Sequence, residues 1–228
     1  MVTTADPLDE TLQPDSAALR RARARSIGLG VALLVVAALE TVFVLASATR
    51  RPWFQGMDDA WRRLMIEHRI PWLVDVARVL GVLGSPWVTL PIRLAVSAVL
   101  AVRRRWAQFG AFVVALVVSQ VLASGLKALV DRPRPSARLV DAYSSSFPSG
   151  HAIATAVTAF GIVIAFVPRG RSRWHWIVAA TFVATLMSWS RTYLSVHWAS
   201  DTIAGAAIGI GCALLAEAAF ESAGDRGR

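Results

Sequence analysis

Cysteine and lysine each occur once in a chain of 228 residues. Cys212 lies in an apolar run with no partner in the chain, which excludes an intrachain disulfide framework and a cysteine-based zinc site. Lys127 is the sole lysine among 24 Lys and Arg residues. An arginine-favouring codon bias explains the ratio, so the lysine gains meaning only from where it falls. Charge is also scarce: 17% of residues are charged and 55% are hydrophobic. A soluble domain of this length would alternate polar and apolar residues far more. Long, nearly charge-free runs instead read as transmembrane helices, each needing roughly 20 apolar residues to cross a bilayer. No internal repeat or low-complexity stretch is present. The net charge of +9 would admit nucleic acid as a partner. Most arginines, however, sit at the ends of apolar runs, where they set membrane orientation, so no nucleic-acid binding is expected.

Six spans are expected, over residues 27–48, 86–102, 106–126, 151–167, 174–190 and 200–219. The fold class is therefore all-α: an integral membrane six-helix bundle. Between the first two spans, residues 55–83 mix charges with Trp and Leu and read as interfacial amphipathic helix broken by Pro71. Residues 1–26 are expected to be a disordered, basic cytoplasmic N-terminus, residues 27–219 a single six-span domain, and residues 220–228 a cytoplasmic tail. Ala46-Ser47-Ala48 resembles a signal-peptidase site, but the preceding run is longer than a signal h-region and is read as retained.

Four arginine clusters fix the orientation. Arg20 to Arg25, Arg103 to Arg105, Arg169 to Arg173, and Arg226 with Arg228 all fall on one face when six spans are counted. That face is the cytoplasmic one. By the same parity three polar segments meet on the opposite, extracytoplasmic face: Lys127 to Pro135, Phe147 to His151 and Ser190 to Asp201.

Those segments suit phosphoryl chemistry. Such a reaction needs cationic donors around the non-bridging oxygens, an in-line nucleophile and a proton for the leaving oxygen. Lys127, Arg134 and Arg191 supply charge, and the planar arginine fork can bind two phosphate oxygens at once. Ser149 and the Gly150 N–H add neutral donors where a loop enters a helix, whose N-terminus favours an anion. His197 and Asp201 are four residues apart, one turn on a helix, so the carboxylate can fix the imidazole tautomer and free the other nitrogen to attack. His151 remains as general acid. Taken singly, a histidine near a membrane surface is more often interfacial, and His68 and His175 are read so. The convergence of the set on one face is what argues for a site.

The motifs Lys127-x6-Arg134-Pro135, Pro148-Ser149-Gly150-His151 and Ser190-Arg191-x5-His197-x3-Asp201 resemble those of the type 2 phosphatidic acid phosphatase superfamily, integral membrane lipid phosphatases whose site is shared with vanadium haloperoxidases. The resemblance covers residues 120–210. It implies a metal-independent phosphatase without cofactor, working through a phosphohistidine intermediate. His197 would be the nucleophile, Asp201 its partner and His151 the acid. Lys127, Arg134, Ser149, Gly150 and Arg191 would hold phosphate. Arg132 lies outside the patterns, with substrate contact and headgroup anchoring both open to it. The expected substrate is a lipid phosphate, either a polyprenyl diphosphate or a phosphatidate-type phosphomonoester, at the outer face of the cell membrane. The competing readings are a lipid-headgroup binding or transport protein and a vanadate-dependent peroxidase. Oligomeric state is not legible.

Two further expectations concern the spans. Glu40 and Arg93 lie at similar depth, roughly 10–12 Å below the outer ends of their spans at ~1.5 Å per residue, and are expected to pair. Gly205 and Gly209 form a GxxxG face expected to pack inside the bundle rather than in a dimer.

Overall fold

A computed structural model describes residues 16–226. Among the described residues there are eight helices and no strand. In chain order they are α1 (Ser16–Ala46), α2 (Gln55–Glu67), α3 (Pro71–Leu83), α4 (Pro86–Val102), α5 (Trp106–Val130), α6 (Gly150–Phe166), α7 (Arg171–Tyr193) and α8 (Ala199–Arg226). Three of them are long and apolar enough to cross a bilayer: α1 over Arg20–Ala46, α5, and α8 over Ala199–Phe220. The bent pair α3 and α4, which meet at 46°, makes a fourth if taken as one span. The chain is a multi-pass membrane protein.

Local chemistry sets the boundaries. Pro71 and Pro86 open α3 and α4 at first-turn positions, where a missing N–H costs nothing. Asp131 stops α5 by taking a left-handed conformation, φ 42°. Two ends differ from expectation. The arginines Arg20 to Arg25, read as part of a disordered segment, lie within α1, and residues 1–15 fall outside the described residues. Residues 220–226 continue α8 as helix. At the first end Ala22, Ala24 and the long unbranched arginines favour a helix that the apolar span nucleates; at the second the helix runs on from an apolar span.

Helix α8 is the centre of the bundle, packed by α1, α5 and α6. Ala204, Ala207, Ile208, Cys212 and Ala216 of α8 are buried in its core. Gly205 and Gly209 allow the approach of α6. A Cβ at Gly205 would lie 2.7 Å from the Ser149 carbonyl oxygen, and one at Gly209 would lie 2.7 Å from that of Ile153. The GxxxG face therefore packs within the bundle. Because both obstacles are backbone, Gly209→Ala should lower stability by about 1–3 kcal/mol, as overpacking does. Thermal unfolding in detergent checks this, and an unchanged midpoint would contradict it.

The three basic clusters around Arg23, Arg105 and Arg169 gather at one end. Arg23 Nε donates to the Ala218 carbonyl at 3.0 Å, Arg169 pairs with Glu217 at 3.1 Å, and the Arg105 guanidinium lies 5.9 Å from the Phe166 ring centroid. The three motif segments lie at the other end.

Glu40 and Arg93 do not pair. Arg93 donates to Thr158 Oγ1 at 2.8 Å and to the Ala154 carbonyl at 3.0 Å, both on α6. Glu40 instead lines a groove of about 480 Å³ shared by α1, α2 and α8. Equal depth placed the two charges on one level, but α1 packs on α8 while α4 packs on α5 and α6.

The segment read as interfacial is two helices tied to the bundle. Trp61 Nε1 donates to Thr192 Oγ1 at 3.0 Å, and Arg69 Nη2 donates to Ser195 Oγ and to the Tyr193 carbonyl at 2.9 Å. The outer side of α2 and its lead-in keep Trp53 and Met57 exposed.

Candidate active site

Four helix ends and two loops build the site. Lys127 stands on the last turn of α5 and donates from Nζ to the Ser145 carbonyl at 2.8 Å. The loop that follows carries Arg134, whose Nε donates to the Ser144 carbonyl at 2.7 Å and whose Nη1 donates to the Val196 carbonyl at 2.6 Å. Ser149 is the N-cap of α6, so the free N–H groups of that helix begin at Gly150 and His151. Its hydroxyl is buried and makes no hydrogen bond within the described protein. A buried hydroxyl at a helix N-terminus is a donor ready for an anion. Gly150 leaves open space here, since an added Cβ would come no nearer to Lys127 than 3.9 Å.

Arg191, on the last turn of α7, is buried. Its Nη2 donates to the Ala77 carbonyl at 3.0 Å, and its guanidinium fills the space where a Cβ of Gly81 would stand. Helix α3 is thus a wall of the site. Gly84 at its end faces the His151 ring, 3.2 Å from the position of an added Cβ.

His197 belongs to the α7–α8 loop and not to a helix. Its Nδ1 lies 2.7 Å from the Ser146 carbonyl oxygen, which can only accept, so Nδ1 carries the proton. Nε2 is then unprotonated and faces the cations, accepting from Arg134 Nη1 at 3.2 Å. Asp201 Oδ2 is 3.6 Å from Nδ1, too far to be its hydrogen-bond partner. The expected one-turn helical pairing of these two residues is therefore replaced by a backbone carbonyl, because α8 starts only at Ala199.

The Asp201 carboxylate is fully used elsewhere. Oδ1 accepts from Arg132 at 2.6 Å; Oδ2 accepts from the Trp198 N–H at 2.9 Å and from Ser146 Oγ. Asp201 therefore holds both ends of the imidazole's setting: Ser146, whose carbonyl fixes the ring, and the turn at Trp198.

Arg132 neither faces a substrate nor reaches a headgroup. It is 1% exposed. Its Nη2 donates to Gln55 Oε1 at 2.7 Å and Asp58 Oδ2 at 2.8 Å, and its Nη1 donates to Ser200 Oγ at 2.8 Å as well as to Asp201. Asp58 in turn accepts from the Ser200 N–H at 2.9 Å and from its hydroxyl at 2.6 Å. A buried carboxylate–guanidinium–carboxylate chain thus runs from α2 to the residue behind His197. Sequence reasoning missed Gln55, Asp58, Ser146 and Gly81. Gln55 and Asp58 are separated from Arg132 by more than seventy residues and sit in a segment that reads as surface helix.

Burial pushes the His197 imidazole down to about 4, with Arg134 and Lys127 adding to the shift and Asp201 opposing it. The ring is therefore neutral at pH 7, the state in which Nε2 can act as a nucleophile.

A cationic nest around a neutral imidazole, on a helical membrane scaffold, defines a class of membrane phosphatase. Residues 108–223 match the PAP2 superfamily, and the chain belongs to it. It is 29% identical over 174 residues to phosphatidylglycerophosphatase B of Bacillus subtilis, covering 73% of this chain and 85% of the relative. It is 28% identical over 155 residues to undecaprenyl-diphosphatase of Sulfolobus acidocaldarius, covering 64% and 70%. Among solved structures, the PAP2-type phosphatidylglycerolphosphate phosphatase of Bacillus subtilis superposes with a TM-score of 0.69 at 26% identity, over 86% of this chain and 96% of that one. Aquifex aeolicus LpxE superposes with a TM-score of 0.57 at 25% identity, over 68% and 91%. The protein is a hydrolase of this phosphatase family.

Proposed function

We propose that this protein removes phosphate from a membrane lipid, a polyprenyl diphosphate or a phosphatidate-type phospholipid such as phosphatidylglycerophosphate, through a phosphohistidine intermediate. One observation carries the reading: Arg134 Nη1 lies 3.2 Å from the unprotonated nitrogen of a neutral His197, Lys127 and Arg134 share the Ser145 carbonyl, and the α6 N-terminus beside them holds an unpartnered, buried Ser149 hydroxyl. The family's named relatives, which act on both kinds of lipid phosphate, support the substrate class.

In the first step His197 Nε2 attacks phosphorus in line. The P–N bond forms as the bond to the lipid oxygen breaks, and His151 gives that oxygen its proton. In the second, a water molecule loses a proton to His151 and attacks the same phosphorus. The P–N bond then breaks and inorganic phosphate leaves. Lys127, Arg134, Arg191, Ser149 and the Gly150 N–H stabilise charge on the non-bridging oxygens in both steps. Arg132 and Asp201 touch no reacting atom and are positioning residues.

The reading takes α1, α4, α5, α6, α7 and α8 as six spans of one domain over residues 27–219, with the site at the extracytoplasmic face of the cell membrane. The arginine clusters at the opposite end support this orientation. Helix α6, at 17 residues, is short for a span but is sheathed by its neighbours. A phosphate site at a bundle end lets the lipid chain stay in the bilayer. Apolar grooves of about 490 and 480 Å³ on either side of Trp61 suit such a chain.

The test is phosphate release from detergent micelles holding a panel of lipid phosphates and diphosphates, with EDTA present. Turnover of at least one is expected. Binding of every headgroup without release would favour a binding or transport protein on the same scaffold.

The low affinity of His197 for a proton sets a pH dependence. The neutral ring is the active form, so the acid limb of kcat/KM due to this group should fall well below the ordinary imidazole value of about 6.5. Removing a neighbouring cation favours the protonated ring. In Arg134→Gln the limb should therefore move up in pH, as well as the rate falling. A limb that stays in place would contradict this assignment.

A further inference from the structure

Glu40 is an ionisable residue that the reaction does not use. It lines the groove of about 480 Å³ between α1, α2 and α8, at the end of the bundle that holds the phosphatase site. Its Oε2 is buried and has no hydrogen-bond partner within the described protein. Neighbouring arginines are engaged elsewhere: Arg132 by Asp58 and Asp201, Arg51 by Asp59 at 2.8 Å, and Arg50 by the Leu45 carbonyl at 2.7 Å. The groove lining contains a second carboxylate, Asp58, and no Lys, Arg or His. Behind Asp58, two carboxylates share the one Arg132, so this wall keeps an excess of negative charge.

A carboxyl group in an apolar groove is costly without a partner, and an ionisable residue in a membrane helix points to one. The aromatic lining indicates its kind. Phe43 and Trp53 meet at 87° with ring centroids 6.0 Å apart, Phe43 and Phe54 at 89° and 6.5 Å, and Trp53 and Phe54 at 81° and 5.6 Å. Three nearly perpendicular rings make a corner, and Trp53 and Phe43 are exposed. Aromatic faces beside a carboxyl group suit an organic ammonium ion, which the ring quadrupoles attract. A primary ammonium also brings the N–H donors that an unpartnered carboxyl oxygen lacks. Below the corner, Val36 and Leu39 continue the groove as an apolar path. Asp58 and Ser200 place its upper part at the start of α8, the level of the phosphatase site and hence of lipid headgroups.

We propose that this groove binds a membrane lipid whose headgroup ends in a primary ammonium, held between Glu40 and the corner of Phe43, Trp53 and Phe54. The first part of its chain lies along Val36 and Leu39. The phosphate of a substrate is repelled by Glu40 and Asp58, so the substrate's chain is left to the groove across Trp61, which no charged residue lines. The inference rests on the membrane character of the chain and not on the identity of the lipid it hydrolyses.

Native mass spectrometry of the full-length protein, delipidated in an uncharged detergent, tests this with phosphatidylethanolamine, phosphatidylcholine and phosphatidylglycerol offered at equal concentration. Phosphatidylethanolamine should be retained about tenfold more tightly than phosphatidylglycerol, the scale of a hydrogen bond to a charged group. Phosphatidylcholine, whose ammonium has no N–H for Glu40, should fall between them. The cationic site around His197 favours the anionic lipid and so cannot produce this order. Glu40→Gln should weaken retention of phosphatidylethanolamine about tenfold and leave that of phosphatidylglycerol unchanged. Trp53→Ala, on the exposed rim, should weaken it about threefold. Glu67→Gln, which removes an acidic group of α2 outside the groove, should leave it unchanged. The proposal is overturned by phosphatidylglycerol or phosphatidylcholine held as tightly as phosphatidylethanolamine, by no effect of Glu40→Gln, or by an equal loss in Glu67→Gln. Displacement of the retained lipid by an equal amount of a non-hydrolysable lipid phosphonate would also overturn it, since the groove would then belong to the substrate.

Discussion

His197→Ala is expected to abolish phosphate release, lowering kcat by roughly 10⁴-fold or more, the scale on which loss of a catalytic nucleophile is felt. Binding of the lipid phosphate should change little, because Lys127, Arg134, Arg191 and the α6 N-terminus remain in place. The effect is thus a kcat effect with KM largely retained. His151→Ala should be milder, about 10²- to 10⁴-fold, because a general acid assists a step that the nucleophile makes possible. The loss should shrink further with a p-nitrophenyl leaving group, which departs without a proton. Steady-state kinetics with the two substrates separates the roles. Equal losses from both variants on both substrates would contradict them.

The second large effect concerns a residue that touches no substrate. Arg132→Met leaves two buried carboxylates, Asp58 and Asp201, without the cation between them. Breaking a buried ion pair by removing one partner costs about 3–5 kcal/mol, and here one removal orphans two charges. A steep fall in thermal stability is expected. Asp58→Asn is the informative milder change, since the Arg132–Asp201 pair survives it and the amide oxygen can still accept. It should cost less stability, and Arg132→Lys should rescue little, because an ammonium cannot span the four acceptors that the planar fork reaches. A structural role alone would leave the pH profile of surviving activity unmoved. A role in setting Asp201 behind the imidazole shifts the His197 limb. Near-wild-type stability in Arg132→Met would refute the account of this chain.

The candidate site was legible in the sequence as three segments. The motifs name Lys127, Arg134, Ser149, Gly150, His151, Arg191, His197 and Asp201, and the fold brings their segments to one end of the bundle. Parity of apolar runs was enough to foresee that, because a membrane helix has only two ends. What was not legible lies in contacts that sequence spacing does not encode. The acceptor that fixes His197 is a backbone carbonyl, and any residue at position 146 could have supplied one. Asp58 is one of two adjacent aspartates in an amphipathic helix among exposed tryptophans, and its burial follows only from how α2 docks on α8. The Glu40–Arg93 pairing failed for a related reason. Depth along a helix can be counted, but the direction a side chain faces depends on which helices are neighbours. Arg132 was read from its position beside a motif, whereas burial gave it a different task.

The central claim is that His197 takes the phosphoryl group, and the direct measurement is rapid quenching into alkali during turnover of a ³²P-labelled lipid phosphate. The account expects a protein-bound label that survives base, is lost in acid, maps to the peptide holding His197 and is absent from His197→Ala. Turnover by the wild-type enzyme with no bound label at any quench time, or with the label on another residue, would contradict it.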